Sequence, residues 1–406
     1  VVVPSRDFWR FERDSAALAA LDGLRAIAVL LVVWRHGVFP YFEAHGGKPI
    51  LDLFGYDLAT LAVNGWIGVD LFFVLSGFLI ARLLLGQQDK PGGLRFGPYI
   101  FRRAMRIFPT YVFVIALVVA GAIPFFAVTP EALNLRVAYH LLMLQDYLPP
   151  NIVVAFWSLG VEEKFYLAAP LILGTMFAVR SFRLRLTLVL AAVAAAILLR
   201  IWAAATLDSA PGTPMSYGDF LPVFRYPFHA CLDTLGLGMA AALLHRRAMA
   251  DPQSWLRRQA TPLFWAGTLW LLVLAAPGVL LARIDWWDQT LQPTAIGLGF
   301  TAILLGAALG GGPQRFLGAP ALLVVARISY PLYLVHMAVI PLSWALVGGS
   351  PAGDGAMLLR FLPVYGACAL ALALAVHFGV EKPFLILRDK LDQGFWRRPA
   401  PLAPKL

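Results

Sequence analysis

The stretch Leu21–Pro40, LDGLRAIAVLLVVWRHGVFP, has the length and apolar content of a membrane-spanning helix, yet it carries Arg25, Arg35 and His36. A charge near the centre of a bilayer costs about 2.5–3.5 kcal/mol on insertion scales. Each of these residues therefore needs a reason to be there. Arg25 and His36 are eleven positions apart. At about 100° per residue they share one face, about 16 Å apart along the axis. A shared face with a histidine on it reads as the lining of a polar path through a helical bundle. Arg35 points about 80° away and lies nearer the far end, where snorkelling to the interface accounts for it.

The rest of the chain has the same character. Of 406 residues, 60% are hydrophobic and 14% charged, whereas a soluble domain is about half apolar and a quarter charged. The apolar residues fall in blocks of about 20, the length that spans a bilayer. The expected fold class is all-α, a polytopic transmembrane helical bundle of about ten spans. These lie near 21–40, 65–85, 99–122, 156–178, 186–206, 223–244, 262–282, 294–310, 328–347 and 357–380. Residues 1–20 hold Arg6, Asp7, Arg10, Glu12, Arg13 and Asp14, which makes them a polar tail and not a cleavable signal. The expected organisation is an N-tail (1–20), one transmembrane domain (21–383) and a C-tail (384–406).

Orientation follows from the basic residues. With both ends inside, twenty-four of the 33 Lys and Arg fall on cytoplasmic segments, against five (Lys48, Arg136, Arg225, Arg283 and Arg360) in the opposite loops and their borders. This split predicts cytoplasmic termini. It also assigns the net charge of +10 to topology and anionic lipid, with no call for nucleic acid. Cys231 and Cys368 both sit in apolar stretches and indicate no disulfide framework. No internal repeat, metal site or nucleotide P-loop pattern is legible.

Four further stretches place polar groups in apolar helices. In NGWIGVDLFFVLSGFLIARLLL, Asp70 is either one half of a structural salt bridge or cap, or a site residue. Ser76 and Gly77 are small enough to serve close helix packing. In FRRAMRIFP, Arg103 and Arg106 share a face and act either as a lipid anchor or as a phosphate clamp. In FWSLGVEEKFYL, Glu162 and Glu163 open a helix, where a carboxylate suits the dipole, with Tyr166 one turn below Glu162. In ARISYPLYLVHMAVI, Tyr330, Tyr333 and His336 form a loosely shared polar face.

Taken in order, these stretches resemble the acyltransferase family 3 membrane domain from about Leu21 to Pro383, with VEKPF at Val380–Phe384 similar to its closing motif. The resemblance implies transfer of an acyl group, usually acetyl, from cytoplasmic acyl-CoA to a hydroxyl of an extracytoplasmic glycan or glycoside such as lipopolysaccharide. The setting it implies is the bacterial cytoplasmic membrane, with membrane lipids, acyl-CoA and the sugar acceptor as partners. Acyl-CoA is then a co-substrate, and no cofactor is permanently bound. Carried onto this chain, His36 matches the family's essential histidine and Glu162 its acidic residue, both catalytic. Arg25, Arg103 and Arg106 match its acyl-CoA-binding arginines. Asp70, Ser76, Tyr330, Tyr333 and His336 stand as supporting residues. His36 is the expected general base, with His336 as its rival, and Glu162 is expected to serve from the outer side. Two positions depart from the pattern. Lys164 stands where relatives often carry an amide and is expected to alter the charge around Glu162. Asp233 lacks the arginine often found near it. The rival reading is a glycan or lipid transporter or flippase with the same polar path; a membrane scaffold or sensor explains none of the motifs.

Overall fold

In the computed structural model, residues 19–47, 60–89, 93–148, 151–179, 181–207, 215–276 and 284–396 are described, with 6–9, 11, 52–53, 56–57, 278 and 280. Most of the expected N-tail, and residues 397–406 of the C-tail, lie outside the described residues. The main helices are α1 (Ala19–Ala44), α2 (Gly68–Gln88), α3 (Phe96–Val119), α4 (Leu133–Leu141), α5 (Trp157–Ala178), α6 (Phe182–Thr206) and α7 (Leu232–Ala250). They continue with α8 (Ala260–Ala275), α9 (Gln292–Ala308), α10 (Ser329–Val335), α11 (Ile340–Leu346), α12 (Gly355–Val376) and α13 (Lys382–Trp396). The only strands among the described residues are β1 (Asp52–Leu53) and β2 (Tyr56–Asp57), a two-stranded antiparallel pair. The fold is an all-α, polytopic membrane protein.

Among the described residues, five helical segments are long and apolar enough to cross a membrane: α1, α2 with the turn before it, α6, α7 with the turn before it, and the run from α12 into α13. The pair α10–α11 makes a sixth if it is counted as one broken span. Length and composition therefore give fewer spans than the ten expected from hydropathy, for two physical reasons. Helices α8 and α9 have only 16 and 17 residues. Helices α3 and α5 are long enough, but each carries three charged residues, Arg102, Arg103 and Arg106 in one and Glu162, Glu163 and Lys164 in the other.

Three further details differ from the sequence reading. The expected span at 328–347 is bent by 73° between α10 and α11. Pro341 has no backbone N–H to give and restricts Ile340 before it, and the break begins at His336. At the C-terminal end, α12 passes through a π-helical turn (His377–Glu381) straight into α13, so helix continues beyond the expected boundary at 383. Between the expected spans 99–122 and 156–178 the chain folds back onto the bundle: α4 and the residues after it bury His140, Gln145 and Asp146.

The most extensive helix contact sets the position of the site. Helices α2 and α7 pack against each other more extensively than any other pair. A Cβ added at Gly77 would lie 2.1 Å from the Leu235 carbonyl oxygen, and one at Gly238 would lie 2.2 Å from that of Val74. Gly77 thus serves close packing, while its neighbour Ser76, 100° round the helix, faces away from α7 into the bundle interior. Gly77→Ala is expected to destabilise the protein by about 1–3 kcal/mol through overpacking. Gly86→Ala, with open space around it, is expected to be neutral or slightly stabilising. Thermal unfolding of the two variants in detergent checks the contrast.

Candidate active site

Three cavities follow one another along α1. The first, of about 550 Å³, lies at the Arg25 end and is lined by Arg25, Ser76, Arg82, Arg102, Arg103, Arg106 and Tyr166 among others. The second, of about 90 Å³, shares Arg25, Ser76, Arg103, Arg106 and Tyr166 with the first and adds Glu162, Tyr330, Tyr333 and an apolar wall of Val69, Phe72 and Phe73. The third, of about 190 Å³, holds His36 and shares Val69 and Tyr333 with the second. Arg25 and His36 therefore face opposite ends of one series of cavities.

In the second cavity Glu162 accepts two hydrogen bonds. Ser76 Oγ donates to its Oε1 at 3.0 Å and the Tyr166 hydroxyl to its Oε2 at 2.9 Å. The i to i+4 spacing of Glu162 and Tyr166 on α5 makes this contact local, and Ser76 reaches it from α2. Arg103 lies over the Tyr166 ring, 5.7 Å from its centroid. Arg25, Arg103 and Arg106 form no ion pair among the described residues, and Glu162 shares their cavity. The structure thus brings Glu162 to the arginines; its hydrogen bonds go to Ser76 and Tyr166 and not to His36.

At the far end, His36 and His336 meet. His36 Nδ1 lies 2.9 Å from the Val32 carbonyl oxygen and 3.1 Å from His336 Nε2. His336 Nδ1 lies 2.7 Å from the Tyr333 carbonyl oxygen. Carbonyl oxygens only accept, so each Nδ1 carries the proton. His336 Nε2 is then the acceptor of a shared hydrogen bond from His36. His36 Nε2 is left with its lone pair, on the ring that lines the third cavity. His336 is fully buried. Its helix is fixed from both sides: the Tyr333 hydroxyl donates to Ala155 O at 2.7 Å and Tyr330 to Ile107 O at 2.9 Å.

Other charges are closed into pairs. Asp70 takes both of its oxygens to Arg225 Nη2, at 3.0 and 2.9 Å, which makes it half of a buried salt bridge between α2 and the turn before α7. Asp233 has its arginine after all, supplied by α6 and not by its own helix. Arg200 Nη2 donates to Asp233 Oδ2 at 2.7 Å, and Thr294 donates to the same oxygen. Lys164 gives its charge to Asp146, at 2.5 Å, and so does not face Glu162. Arg35 does not snorkel. It is 6% exposed, its guanidinium lies 3.3 Å above the Phe39 ring centroid, and it lines the third cavity. Sequence reasoning missed Arg200 and Arg225 as partners. The signal was available in ILLRIW, where an arginine inside an apolar span demands a carboxylate. Among the described residues no three His, Cys, Asp or Glu side chains gather as a metal site.

Breaking a buried pair leaves an uncompensated charge, at a cost of about 3–5 kcal/mol. Asp70→Asn is therefore expected to lower stability by that order, and Asp233→Asn likewise. Thermal unfolding in detergent reads the loss; wild-type stability in either variant would show that the pair does not hold the helices.

Comparison with known proteins agrees with the ordered motifs. A model described as an acyltransferase domain (Acyl_transf_3) matches residues 18–379. The chain is 32% identical over 167 residues to peptidoglycan O-acetyltransferase OatA of Listeria monocytogenes, covering 37% of this chain and 23% of the relative. It is 29% identical over 403 residues to putative peptidoglycan O-acetyltransferase YrhL of Bacillus subtilis (94% of this chain, 56% of the relative). It is 28% identical over 420 residues to acyltransferase MdmB of Streptomyces mycarofaciens, covering 95% of each. The chain thus spans about a quarter of the first relative and just over half of the second. No solved structure matches it. With the match running through every cavity-lining helix, the chain belongs to acyltransferase family 3.

Proposed function

We propose that this protein transfers an acyl group, acetyl by preference, from cytoplasmic acyl-CoA to a hydroxyl of an extracytoplasmic glycan or glycoside. The observation that carries the reading is the series of cavities with unpaired arginines at one end and an unprotonated histidine nitrogen at the other. In this reading the chain forms about ten spans in a bacterial cytoplasmic membrane, with residues 21–383 as the catalytic domain and both tails cytoplasmic. The bent α10–α11 counts as one span, and α3, α5, α8 and α9 cross although charges or shortness set them apart.

The chemistry follows from the residues. CoA carries several phosphates, and guanidinium forks match phosphate oxygens; Arg103 and Arg106, with Arg25 deeper, hold the nucleotide end in the first cavity. The second cavity, at about 90 Å³, has room for a short acyl group. A sugar hydroxyl in the third cavity gives its proton to His36 Nε2, and its oxygen attacks the thioester carbonyl where Val69 and Tyr333 border both cavities. The C–S bond breaks, and the proton on His36 returns to the CoA thiolate. His336 is a positioning residue: by accepting from His36 Nδ1 it holds the base in the tautomer that reaction needs. Glu162 positions Ser76 and Tyr166 and offsets part of the arginine charge. The transporter reading shares the path but gives no reason for a tautomer-fixed histidine pair.

Transfer of labelled acetyl from acetyl-CoA by the purified protein tests the reading. His36→Ala is expected to lose 10²–10⁴-fold in rate, the typical effect of removing a positioned base, while acetyl-CoA still binds. His336→Ala should lose less, and His336→Gln, which keeps an acceptor, should recover part of it. A dead His336→Ala beside a near-normal His36→Ala would exchange the two roles. Arg103→Ala with Arg106→Ala is expected to weaken acetyl-CoA binding, with only partial rescue by lysine. Unchanged affinity in the folded double variant would return the arginines to lipid anchoring. For topology, Gly46→Cys should label from outside and Ala250→Cys only after permeabilisation; the reverse pattern would sink the path.

A further inference from the structure

The third cavity holds a charge that the transfer chemistry does not use. Its described lining contains three basic residues, Arg35, His36 and Arg225, and no carboxylate. Arg225 is satisfied by Asp70. Arg35 is not: it forms no ion pair among the described residues, and its Nη1 is buried without a hydrogen-bond partner. The groups that face it are the Phe39 ring beneath the guanidinium, the Tyr217 hydroxyl beside it and, at longer range, Glu43. Glu43 is exposed near the end of α1 and outside the cavity lining. A buried guanidinium with an open N–H is costly unless a charge-assisted partner completes it.

The rest of the cavity says what kind of partner fits. Trp66, Trp157, Tyr217 and Tyr226 form its walls, flat faces with polar edges that suit the apolar side of a sugar ring. Its volume of about 190 Å³ is below the roughly 300–1,000 Å³ of a drug-sized site, so the space is that of one ring. Stacking on Phe39 keeps the guanidinium plane fixed, so its fork is preorganised. We infer that this cavity takes an acceptor sugar bearing an anionic group, a carboxylate or a phosphate, which Arg35 binds while a hydroxyl of the same ring faces His36. The inference rests on the proposed function for the word acceptor, and on Arg35 alone for the anion. Neighbouring positions in the chain, 35 and 36, would then read two features of one substrate, its charge and its reacting hydroxyl.

Direct binding without acyl-CoA tests it. Trp66 and Trp157 lie in the wall, so intrinsic tryptophan fluorescence of the purified full chain in detergent can report occupancy. The probes are methyl β-D-glucuronide, glucose 6-phosphate and the neutral methyl β-D-glucoside. At least one anionic probe is expected to bind about tenfold or more tighter than the glucoside, the order of one charge-assisted hydrogen bond. Whether the glucuronide or the phosphate leads identifies the anion. Arg35→Gln should bring the favoured probe down to the affinity of the glucoside. Arg35→Lys, which keeps the charge and loses the fork, should retain part of the preference; it decides the matter if Arg35→Gln does not fold. Equal affinities for all three probes, no saturable binding of either anion, or a preference unchanged in the folded variants overturns the inference. An anion preference in a protein that acetylates nothing would remove the proposed function and leave this site standing. Acetylation without the preference would do the opposite.

Discussion

A charge taken out of water has to meet an opposite charge, a set of hydrogen bonds or a ligand, and in this bundle that constraint separates structure from site. Asp70 with Arg225 and Asp233 with Arg200 and Thr294 are closed pairs. They tie α2, α6, α7 and α9 together, and Arg200 is held further by bonds to the Thr290 and Ala230 carbonyls and to the Thr294 hydroxyl. Arg25, Arg35, Arg103 and Arg106 are the opposite case: none forms an ion pair among the described residues, and all line cavities. Buried ion pairs are weak evidence for stability in general. Here their use is to fix the positions of helices whose remaining charges stay available.

Close packing provides the walls around those charges. Gly77 and Gly238 bring α2 and α7 to backbone contact, and this approach turns the adjacent Ser76 toward Glu162 instead of lipid. In the membrane, helix association gains little from hydrophobicity, so such small-residue contacts carry much of the specificity. The broken α10–α11 contributes differently. Tyr330, Tyr333 and His336 lie on successive turns up to the break, where the two tyrosines anchor on α3 and on the turn before α5 while the histidine ring meets α1.

How much of this was legible in the sequence depends on the range of the interaction. The all-α membrane class was legible because apolar blocks are a local property. So was the alignment of Arg25 and His36 toward one path, which follows from helix geometry alone. The contact of Glu162 with Tyr166 is one turn and was visible; that of Glu162 with Ser76 spans 86 positions and was not. Asp70 could be narrowed only to two readings, because its partner Arg225 is 155 residues away and looked like a loop residue. Arg35 was misread for a related reason. Snorkelling is the default for a cation near a helix end, and only the fold shows that Phe39 and Tyr217 close over it. Length and composition alone give fewer spans than hydropathy, which averages across the charges of α3 and α5 and does not ask whether α8 and α9 are long enough.

The wall that Val69 and Tyr333 share has an electrical consequence. If, as proposed, the cavities open to water on opposite sides of the membrane, they thin the insulating layer, and the membrane voltage falls across the short apolar stretch between them. Moving one elementary charge through that stretch exchanges about 2.3 kcal/mol per 100 mV. In the proposed transfer a neutral acyl group would pass without coupling to the field. In that transfer the phosphates would stay on one side with the arginines, and the sugar on the other. A bundle built this way can hand a group across the membrane while its ion gradients remain intact.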